Sequence, residues 1–337
     1  MSGRSMTGIS VVVPTLGRPS LTALLAALAT AEPAPVPVEF LLVDDRRHPA
    51  QELPVPPGID VKVLTGRAAG PAAARNVGWQ AASHEWVAFL DDDVVPDPDW
   101  LARLHDDLTG AGPHVGGVQG VLRVPLPAGR RPTDWERVTA GLADGAWITA
   151  DMAYRRGALA AAGGFDERLP RAFREDAELA HRVRQAGYQL VQGVRTVTHP
   201  VRPEDRWVSV RTQRGNTDDA LLRRLYGRDW RTRLEIPPGR RRRHLTVSAA
   251  GILAAAFTVP ALLTRRRAWS AAVSAAAVVW AAGTAEFAAA RIAPGPRTAR
   301  EVTTMALTSV AIPPVATVHW LRGWVRWRGA RPLGSAR

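Results

Sequence analysis

The sequence EWVAFLDDD, residues 85–93, is an apolar segment that ends abruptly in three adjacent carboxylates. Its aromatic and aliphatic residues predict a short strand, and Asp91, Asp92 and Asp93 follow at the end of that strand. Neighbouring carboxylates repel one another, by about 1 kcal/mol per close pair in water and by more where solvent is excluded. A divalent cation that also binds a diphosphate would relieve this repulsion, because hard cations bind carboxylate and phosphate oxygens. The alternative is an acidic turn after a buried strand, since aspartate is common in turns.

Short apolar runs of this kind alternate with helical stretches from Ile9 to about His199. The other predicted strands are ISVVVPT (9–15), VEFLLVDD (38–45), VKVLTG (61–66) and VGGVQGVLRV (115–124), with later strands near 147–154 and 189–197. The helices predicted between them occupy residues 20–30, 71–82 and 97–108. This alternation is typical of an α/β fold with a largely parallel sheet.

Polar residues stand at the ends of three of the predicted strands. The first, second and fourth strands end in Pro14–Thr15, Asp44–Asp45 and Asp91–Asp93. In open α/β sheets ligands bind beyond the carboxyl ends of the strands, so we expect these residues to meet at one edge. Any one of these polar strand ends could simply be a turn, whereas three of them at the same edge favour a binding site.

The composition of the 337-residue chain limits the kinds of site that it can contain. There is no cysteine, which excludes disulfide scaffolds and cysteine-based zinc or redox sites. The formal net charge of +13 is compatible with nucleic acid or an anionic membrane surface as a partner. The arginines cluster at residues 240–243, 265–267 and 322–331, where they flank segments that are almost free of charge. This distribution favours a membrane, and we expect no nucleic acid partner.

Three C-terminal segments are candidates for membrane helices, because about 20 apolar residues cross a bilayer. They cover residues 245–264, 268–290 with Glu286 inside, and 302–321, where Pro313-Pro314 is expected to break the helix. A buried soluble helical bundle is the alternative. If the first segment leaves the cytoplasm, the arginines at 265–267 lie outside, against the positive-inside tendency. A re-entrant or interfacial hairpin would resolve this conflict.

The change in composition near Pro237 predicts a division into residues 1–235 and residues 236–337. The N-terminal MSGRSMTG has no apolar core, so we expect no secretory signal peptide and a cytoplasmic first domain. Residues 204–228 mix apolar residues with many arginines. They are expected to form a helix that either lies at the lipid headgroups or packs on the first domain.

Seven motifs occur in a fixed order between residues 9 and 200. They are ISVVVPTLGRP, LLVDD, GPAAARNVGW, FLDDD, MAYRRGALAAAGGFDE, REDAELAHRVRQAGY and THP. Together they resemble the family 2 glycosyltransferases, inverting enzymes of the GT-A fold that use nucleotide-sugar donors. The resemblance implies a Rossmann-like GT-A catalytic domain with a mostly parallel sheet, followed by an α-helical hydrophobic membrane region.

The resemblance also implies which residues bind the donor. Pro14, Thr15, Asp44 and Asp45 are expected against the base and ribose, where carboxylates accept hydrogen bonds from O–H and N–H groups. Arg75 is expected to reach the diphosphate, since guanidinium groups bind phosphate well; an exposed helix arginine is the alternative. These contacts fit UDP without excluding dTDP or GDP.

By the same resemblance, Asp91 and Asp93 occupy the acidic positions of the DxD metal motif, and Asp91 also contacts the donor. The cation, Mg or Mn, would hold the diphosphate and stabilise the leaving nucleoside diphosphate. His199 of THP is expected to add an imidazole ligand, and a structural histidine is the alternative. Asp92 is expected to fill the turn.

Asp176 is the implied general base, which takes the proton from the acceptor hydroxyl, and Glu175 is the fallback. The two acids begin a helix that is predicted to end near Gln185, before Gly187. Acids in a first helical turn are also stabilised by the helix dipole, which is the alternative explanation.

Asp166 and Glu167, within GGFDE, are expected on the acceptor side. The family often has asparagine where this chain has Asp151, whose role stays open. The prediction is a membrane-associated glycosyltransferase with a lipid-linked acceptor, such as a polyprenyl phosphate, or a cell-envelope glycan acceptor. The alternatives are a nucleotidyltransferase, although VVVPTLGRP lacks a glycine-rich phosphate loop, and an inactive basic protein that binds membrane or nucleic acid.

Overall fold

The computed structural model describes residues 6–333. The strands are β1 Ile9–Thr15, β2 Val38–Asp44, β3 Val61–Thr65, β4 Trp86–Leu90, β5 Val95–Pro96, β6 Val115–Arg123, β7 Asp151–Arg155 and β8 Gln189–Thr198. The helices of the first domain are α1 Ser20–Ala29, α2 Pro71–Ala81, α3 Trp100–Thr109, α4 Asp134–Ala140, α5 Arg156–Ala162, α6 Glu175–Gln185, α7 Val208–Arg211, α8 Asn216–Tyr226 and α9 Trp230–Arg233. Three long helices follow, namely α10 Arg241–Thr264, α11 Arg267–Ile292 and α12 Ala299–Arg326.

The strands form one mixed sheet in the order β3-β2-β1-β4-β7-β6-β8-β5. The strands β3, β2, β1 and β4 are parallel, and β7 pairs antiparallel with both β4 and β6. The predicted α/β GT-A fold is therefore confirmed, with the parallel part of the sheet in the N-terminal half. Strand β5, which has only two residues, was too short to be predicted from its sequence pattern.

Helices cover both faces of the sheet, which explains the continuous apolar sequence of β1. Val11 and Val13 pack into the cluster that contains the apolar residues of α1 and α3. Val12, between them, packs into the opposite cluster with residues of α2, α5 and α6. Alternate residues of a strand face opposite sides, so a strand that is covered on both sides is apolar throughout.

The predicted elements agree with the observed ones, with small differences at their ends. Helix α6 covers the predicted Glu175–Gln185, and Gly187 follows it with a φ of +90°, the left-handed region that glycine favours. Strand β4 ends at Leu90, so the three aspartates lie in the turn after it. Residues 204–228 contain α7 and α8, and Leu221 and Leu222 of α8 pack against Leu169 before α6, so this segment packs on the first domain.

The three C-terminal helices are each long and apolar enough to cross a membrane. The expected break at Pro313-Pro314 is wrong, because α12 continues through both prolines. Exposed apolar residues occur along α10 and in the middle of α11, and the most exposed are Leu262 and Leu263 at the end of α10, at 73% and 80%. Arg240 at the start of α10 is bound to Glu286 near the end of α11, so the two helices form a hairpin that projects from the first domain.

Candidate active site

A cavity of about 750 Å³ opens where the parallel strands end. Its wall contains most of the site residues expected from the sequence, namely Pro14, Thr15, Asp45, Arg75, Asp91, Asp93, Glu175, Asp176 and His199. The strand ends therefore do come together, as the rule for open α/β sheets predicts. We call this space the first cavity.

Asp92 joins the ends of β1 and β4. Its carboxylate accepts hydrogen bonds from Thr15 Oγ1 at 2.7 Å, the backbone N–H of Leu16 at 3.3 Å and Arg18 Nη1 at 2.9 Å. The side chain is buried, and its hydrogen-bond partners all come from the β1 end. Asp92 therefore fixes the turn, as expected, while the hydroxyl of Thr15 is engaged within the protein.

Arg75 lies between Asp91 and Glu175 and is only 1% exposed. Nη2 donates to Asp91 Oδ1 at 2.7 Å, and Nη1 donates to Glu175 Oε1 at 2.8 Å. Burial alone lowers the pKa of Arg75, but the charges of the two carboxylates outweigh it and raise that pKa above its usual value. The guanidinium thus holds Asp91 in place instead of standing free in the cavity for a diphosphate.

Asp93 is buried beside two nitrogen-bearing side chains. Its Oδ2 lies 3.2 Å from Arg202 Nε, and its Oδ1 lies 3.5 Å from His199 Nε2. Burial, and then the neighbouring charge of Asp91, raise the pKa of Asp93 above its usual value. A nearby positive charge would stabilise the charged form of this buried carboxylate.

The ring of His199 is held by the carbonyl oxygen of Pro200, which lies 3.1 Å from Nδ1. A carbonyl only accepts, so in the neutral ring the proton is on Nδ1 and the lone pair of Nε2 faces Asp93. Two acceptors that face each other fit a cation between them. Within residues 6–333 no three His, Asp or Glu side chains are arranged to hold a metal, so further ligands would have to come from a bound diphosphate and water.

The neighbouring acids Asp44 and Asp45 point to different places. Arg46 binds the carboxylate of Asp44 through Nε at 2.8 Å and Nη2 at 2.7 Å, which lowers the pKa of Asp44, and this residue is absent from the cavity wall. Asp45 lies in the wall, where its Oδ2 accepts from the N–H of Gly70 at 2.9 Å. Its Oδ1 is buried with no hydrogen-bond partner among the described residues, so it is free to accept from a ligand.

Glu175 and Asp176 also differ. Glu175 is fully buried against Arg75, and burial raises the pKa of Glu175 to about 7. Asp176 is half-buried in the cavity wall, where Oδ1 accepts from the N–H of Ala177 at 2.7 Å. Burial also raises the pKa of Asp176. Among the described residues no cationic side chain binds its carboxylate, which suits it to accept a proton.

Residues 10–134 match the family model for glycosyl transferase family 2. These residues are similar to that family, and we call the α/β domain that contains them the glycosyltransferase domain. A pre-mycofactocin glycosyltransferase from Mycobacterium tuberculosis is 32% identical over 167 residues, covering 44% of this chain and 34% of that protein. The hyaluronan synthase of Pasteurella multocida is 30% identical over 120 residues, covering 32% of this chain and 12% of that protein. The chain thus spans about a third of the length of the mycobacterial relative.

The glycosyltransferase domain also has the fold of solved glycosyltransferases. A mannosyltransferase from Pyrobaculum calidifontis, solved in complex with GDP-Man and Mn2+, matches with a TM-score of 0.50 and 18% identity. The match covers 96% of this chain and 88% of that one. At this identity the likeness establishes the GT-A fold and no more.

Asp166 and Glu167 of the glycosyltransferase domain lie outside the wall of the first cavity. Asp166 is buried and bound by Arg168 Nη2 at 2.6 Å. Glu167 accepts from Asn76 Nδ2 at 2.8 Å and is paired with Arg67. These contacts hold the turn after α5, and they place neither carboxylate where an acceptor in this cavity would contact it.

Asp151, whose role the sequence left open, is a buried structural residue of the glycosyltransferase domain. It accepts from Trp100 Nε1 at 2.8 Å and from Arg195 Nε at 2.8 Å. Arg195 in turn donates to Asp107 at 3.0 Å. Asp151 does not line the first cavity.

A second cavity, of about 790 Å³, lies between the glycosyltransferase domain and the C-terminal helices. Its wall combines α4, the segment 201–213, and residues of α11 and α12 such as Arg291 and Met305. Trp135, Val138, Arg202, Thr212 and Gln213 line both cavities, so the two spaces adjoin. Sequence reasoning missed Arg202 and Gln213, although Arg202 stands only three residues after His199 of the THP motif.

Proposed function

We propose that the protein transfers a sugar from a nucleotide-diphosphate donor, with UDP favoured, to a lipid-linked or cell-envelope glycan acceptor at a membrane. The adjoining cavities are the observation that carries this proposal. The first holds the carboxylates suited to a donor, and the second reaches the apolar helices. The glycosyltransferase domain would lie on the cytoplasmic side of the cell membrane, where nucleotide sugars are made.

The donor would lie along the strand ends of the first cavity. Asp45 Oδ1, which lacks an internal partner, is suited to accept from the ribose or base, with Pro14 and Thr15 as neighbouring wall. Asp93 and His199 would hold a divalent cation, Mg or Mn, together with diphosphate oxygens and water, and the charge of Asp91 lies beside this site. When bound, this cation would supply positive charge to the diphosphate and to the departing nucleoside diphosphate. The Mn2+ and GDP-Man in the archaeal mannosyltransferase support this assignment.

Asp176 would act as the general base. It takes the proton from an acceptor hydroxyl while that oxygen forms a bond to the anomeric carbon. The bond from this carbon to the diphosphate breaks, the electron pair leaves with the nucleoside diphosphate, and the configuration inverts. Glu175 cannot readily replace Asp176 in this role, because it is buried and bound to Arg75.

The acceptor would reach Asp176 from the second cavity. This space is bounded on one side by membrane-type helices and adjoins the donor space, so a lipid-linked chain can place its hydroxyl there without leaving the membrane. A phosphate acceptor such as a polyprenyl phosphate carries an anionic oxygen and needs no base. The presence of Asp176 with a raised pKa therefore favours a hydroxyl of a lipid-linked glycan.

The test is a panel of nucleotide diphosphates with the purified full chain in detergent, with and without Mn2+ or Mg2+. A ligand at about 100 times its Kd stabilises the folded state by about 2.7 kcal/mol, which thermal unfolding detects. We expect a cation-dependent shift with one nucleotide, and release of that nucleotide from its sugar donor when membrane lipid extract is added. If no nucleotide shifts the transition, or if turnover is unaffected by chelation of metal, the proposal is wrong.

A further inference from the structure

Helix α12 contacts the glycosyltransferase domain at both of its ends. At the start, Glu301 Oε1 accepts from the backbone N–H of Asp134 at 2.8 Å. Just beyond the end, Arg331 O accepts from Arg168 Nη1 at 2.8 Å. Between them, His319 O accepts from Thr217 Oγ1 at 3.2 Å. The helix has 28 residues and is about 42 Å long, so it lies along the domain.

This arrangement is incompatible with α12 as a membrane span. The two ends of a spanning helix lie on opposite sides of about 30 Å of hydrocarbon. Both ends of α12 are bound to the glycosyltransferase domain. If α12 crossed the membrane, this domain would have to enter the bilayer. Asp134 and Arg168 lie in a domain whose surface is rich in charged residues, so that insertion is excluded.

The face of α12 toward the domain is tightly packed. Its buried residues, spaced at helical intervals, are Met305, Thr308, Ser309, Ile312, Pro313, Ala316 and Gly323. A Cβ on Gly323 would lie 2.6 Å from the carbonyl oxygen of Thr217, so only glycine permits this approach of α12 to α8. Arg291 of α11 donates to Thr308 Oγ1 at 2.8 Å and to Asp134 Oδ2 at 2.7 Å, which joins α11, α12 and the domain.

The opposite face of α12 carries an exposed apolar stripe. Its members, each between 43% and 55% exposed, are Leu307, Val310, Val318, Leu321 and Val325. Intervals of three, eight, three and four residues place them on one side of a helix with 3.6 residues per turn. The exposed side chains of Arg300, Arg322 and Arg328 lie near the two ends of the stripe. Apolar residues with arginines at their margins are typical of a helix in the headgroup region of a bilayer.

We propose that α12 lies in the plane of the membrane surface, with the apolar stripe in the leaflet nearest the glycosyltransferase domain, and that only the α10–α11 hairpin enters the bilayer. The partner is a lipid surface with anionic headgroups, which the flanking arginines attract. The residues after α12 then stay on the same side of the membrane as the domain. This inference rests on the membrane association in the proposed function and is independent of sugar transfer.

The chain has no cysteine, so a single introduced cysteine is a unique label. Leu333→Cys marks the segment after α12, and Glu52→Cys, on an exposed loop of the domain, is the matched reference. Right-side-out and inverted membrane vesicles are treated with a membrane-impermeant maleimide. We expect Leu333→Cys to be labelled in whichever vesicles label Glu52→Cys. Labelling of the two positions in opposite vesicle types overturns the proposal.

A second measurement tests the orientation of the helix itself. Spin labels at Val310→Cys, Val318→Cys and Val325→Cys are compared for collision with oxygen and with a water-soluble nickel complex in vesicles that contain phosphatidylglycerol. An in-plane helix gives the same shallow depth at the three positions. A gradient of depth along the three positions, as a spanning helix requires, overturns the proposal. An unchanged midpoint of thermal unfolding in each variant shows that the glycosyltransferase domain is intact.

The outcome is separate from that of the proposed function. If the two positions are labelled from the same side but no donor in the panel gives up its sugar to an acceptor, the proposed function is contradicted and the in-plane helix stands. Opposite sidedness with normal sugar transfer contradicts only the in-plane helix.

Discussion

Three consecutive aspartates and a single aspartate lie side by side at one edge of the sheet and have different surroundings. Asp91–Asp93 follow β4, and Asp151 begins β7, where it pairs with Leu90, the last residue of β4. The first group lies in the cavity wall, and its charges remain close to one another. Asp151 is 2% exposed and is bound by Trp100 and Arg195. Position at the sheet edge therefore does not decide the role of an acid; its partners and its access to the cavity do.

The surroundings of Asp151 also leave no room for a ligand. Gly120 of β6 lies so close that a Cβ there would stand 2.1 Å from Asp151 Oδ2. Arg195 is fully buried and also bound to Asp107 and to the carbonyl oxygen of Val118. Asp151 thus holds β6, β7 and β8 together, whereas Asp91 and Asp93 line the first cavity.

The largest effect is expected from Asp176→Asn, which tests the functional side of this comparison. Loss of a general base lowers kcat by about 10²–10⁴-fold, because the acceptor hydroxyl then keeps its proton as its oxygen attacks. Donor binding, measured by thermal stabilisation, should be retained. Asp106→Asn is the matched control, since Asp106 is an exposed acid of α3 that does not line the cavity. Full activity in Asp176→Asn would remove Asp176 from the mechanism and favour an anionic phosphate acceptor.

Asp151→Ala tests the structural side. Removing Asp151 leaves buried Arg195 with Asp107 as its remaining carboxylate partner, so we expect a cost of about 3 kcal/mol of the free energy of unfolding, the lower end of the range for a broken buried ion pair. We expect a clear fall in the midpoint of thermal unfolding in detergent, with turnover per folded molecule unchanged at low temperature. A loss of turnover without a loss of stability would show that Asp151 belongs to the active site after all.

Asp93→Asn should have the opposite effect to Asp151→Ala: stability should be kept and cation binding should be weakened. The charged form of Asp93 is disfavoured by burial and by Asp91, so removing its charge should not reduce stability. The same change removes a negatively charged oxygen from the expected cation site. We expect the affinity for Mn2+ to fall by at least about tenfold, because even the loss of a residue that only supports a metal ligand has an effect of this size. Isothermal titration with Mn2+ and the selected nucleotide measures this directly. Unaltered Mn2+ affinity would place the cation elsewhere.

The position of the site was predictable because it follows from local pattern. The apolar run before Asp91 predicts a strand, and the rule for parallel sheets brings its end to those of β1 and β2. The same reasoning predicted α6, since Glu175 at its start and Gly187 after its end are signals within the sequence.

The partners of the site residues were not predictable, because they come from distant parts of the chain. Arg75 and Glu175 are 100 residues apart in sequence and meet only in the folded domain. Even a near neighbour leaves the role of an acid open, because the sequence does not show that Arg46 binds Asp44 while the cavity receives Asp45. Helix α12 has the composition of a membrane span, and only its contacts with Asp134 and Arg168 show that it lies along the domain.

The smallest expected effect is on the pH dependence of kcat. It distinguishes Asp176 from Glu175 within the active site. Burial raises the pKa of Asp176 above the ordinary value of 3.8, and a base works only when it is deprotonated. Activity should therefore fall as pH decreases, and the decline should begin at a higher pH than an ordinary aspartate would give. Below this pKa each unit of pH costs about tenfold in kcat, since one proton is bound. Profiles of kcat for the wild type and Asp106→Asn should coincide, and the residual activity of Asp176→Asn should lack the acid limb. A limb that persists in Asp176→Asn would belong to another group, and buried Glu175, whose pKa is raised to about 7, would be the first to examine by Glu175→Gln.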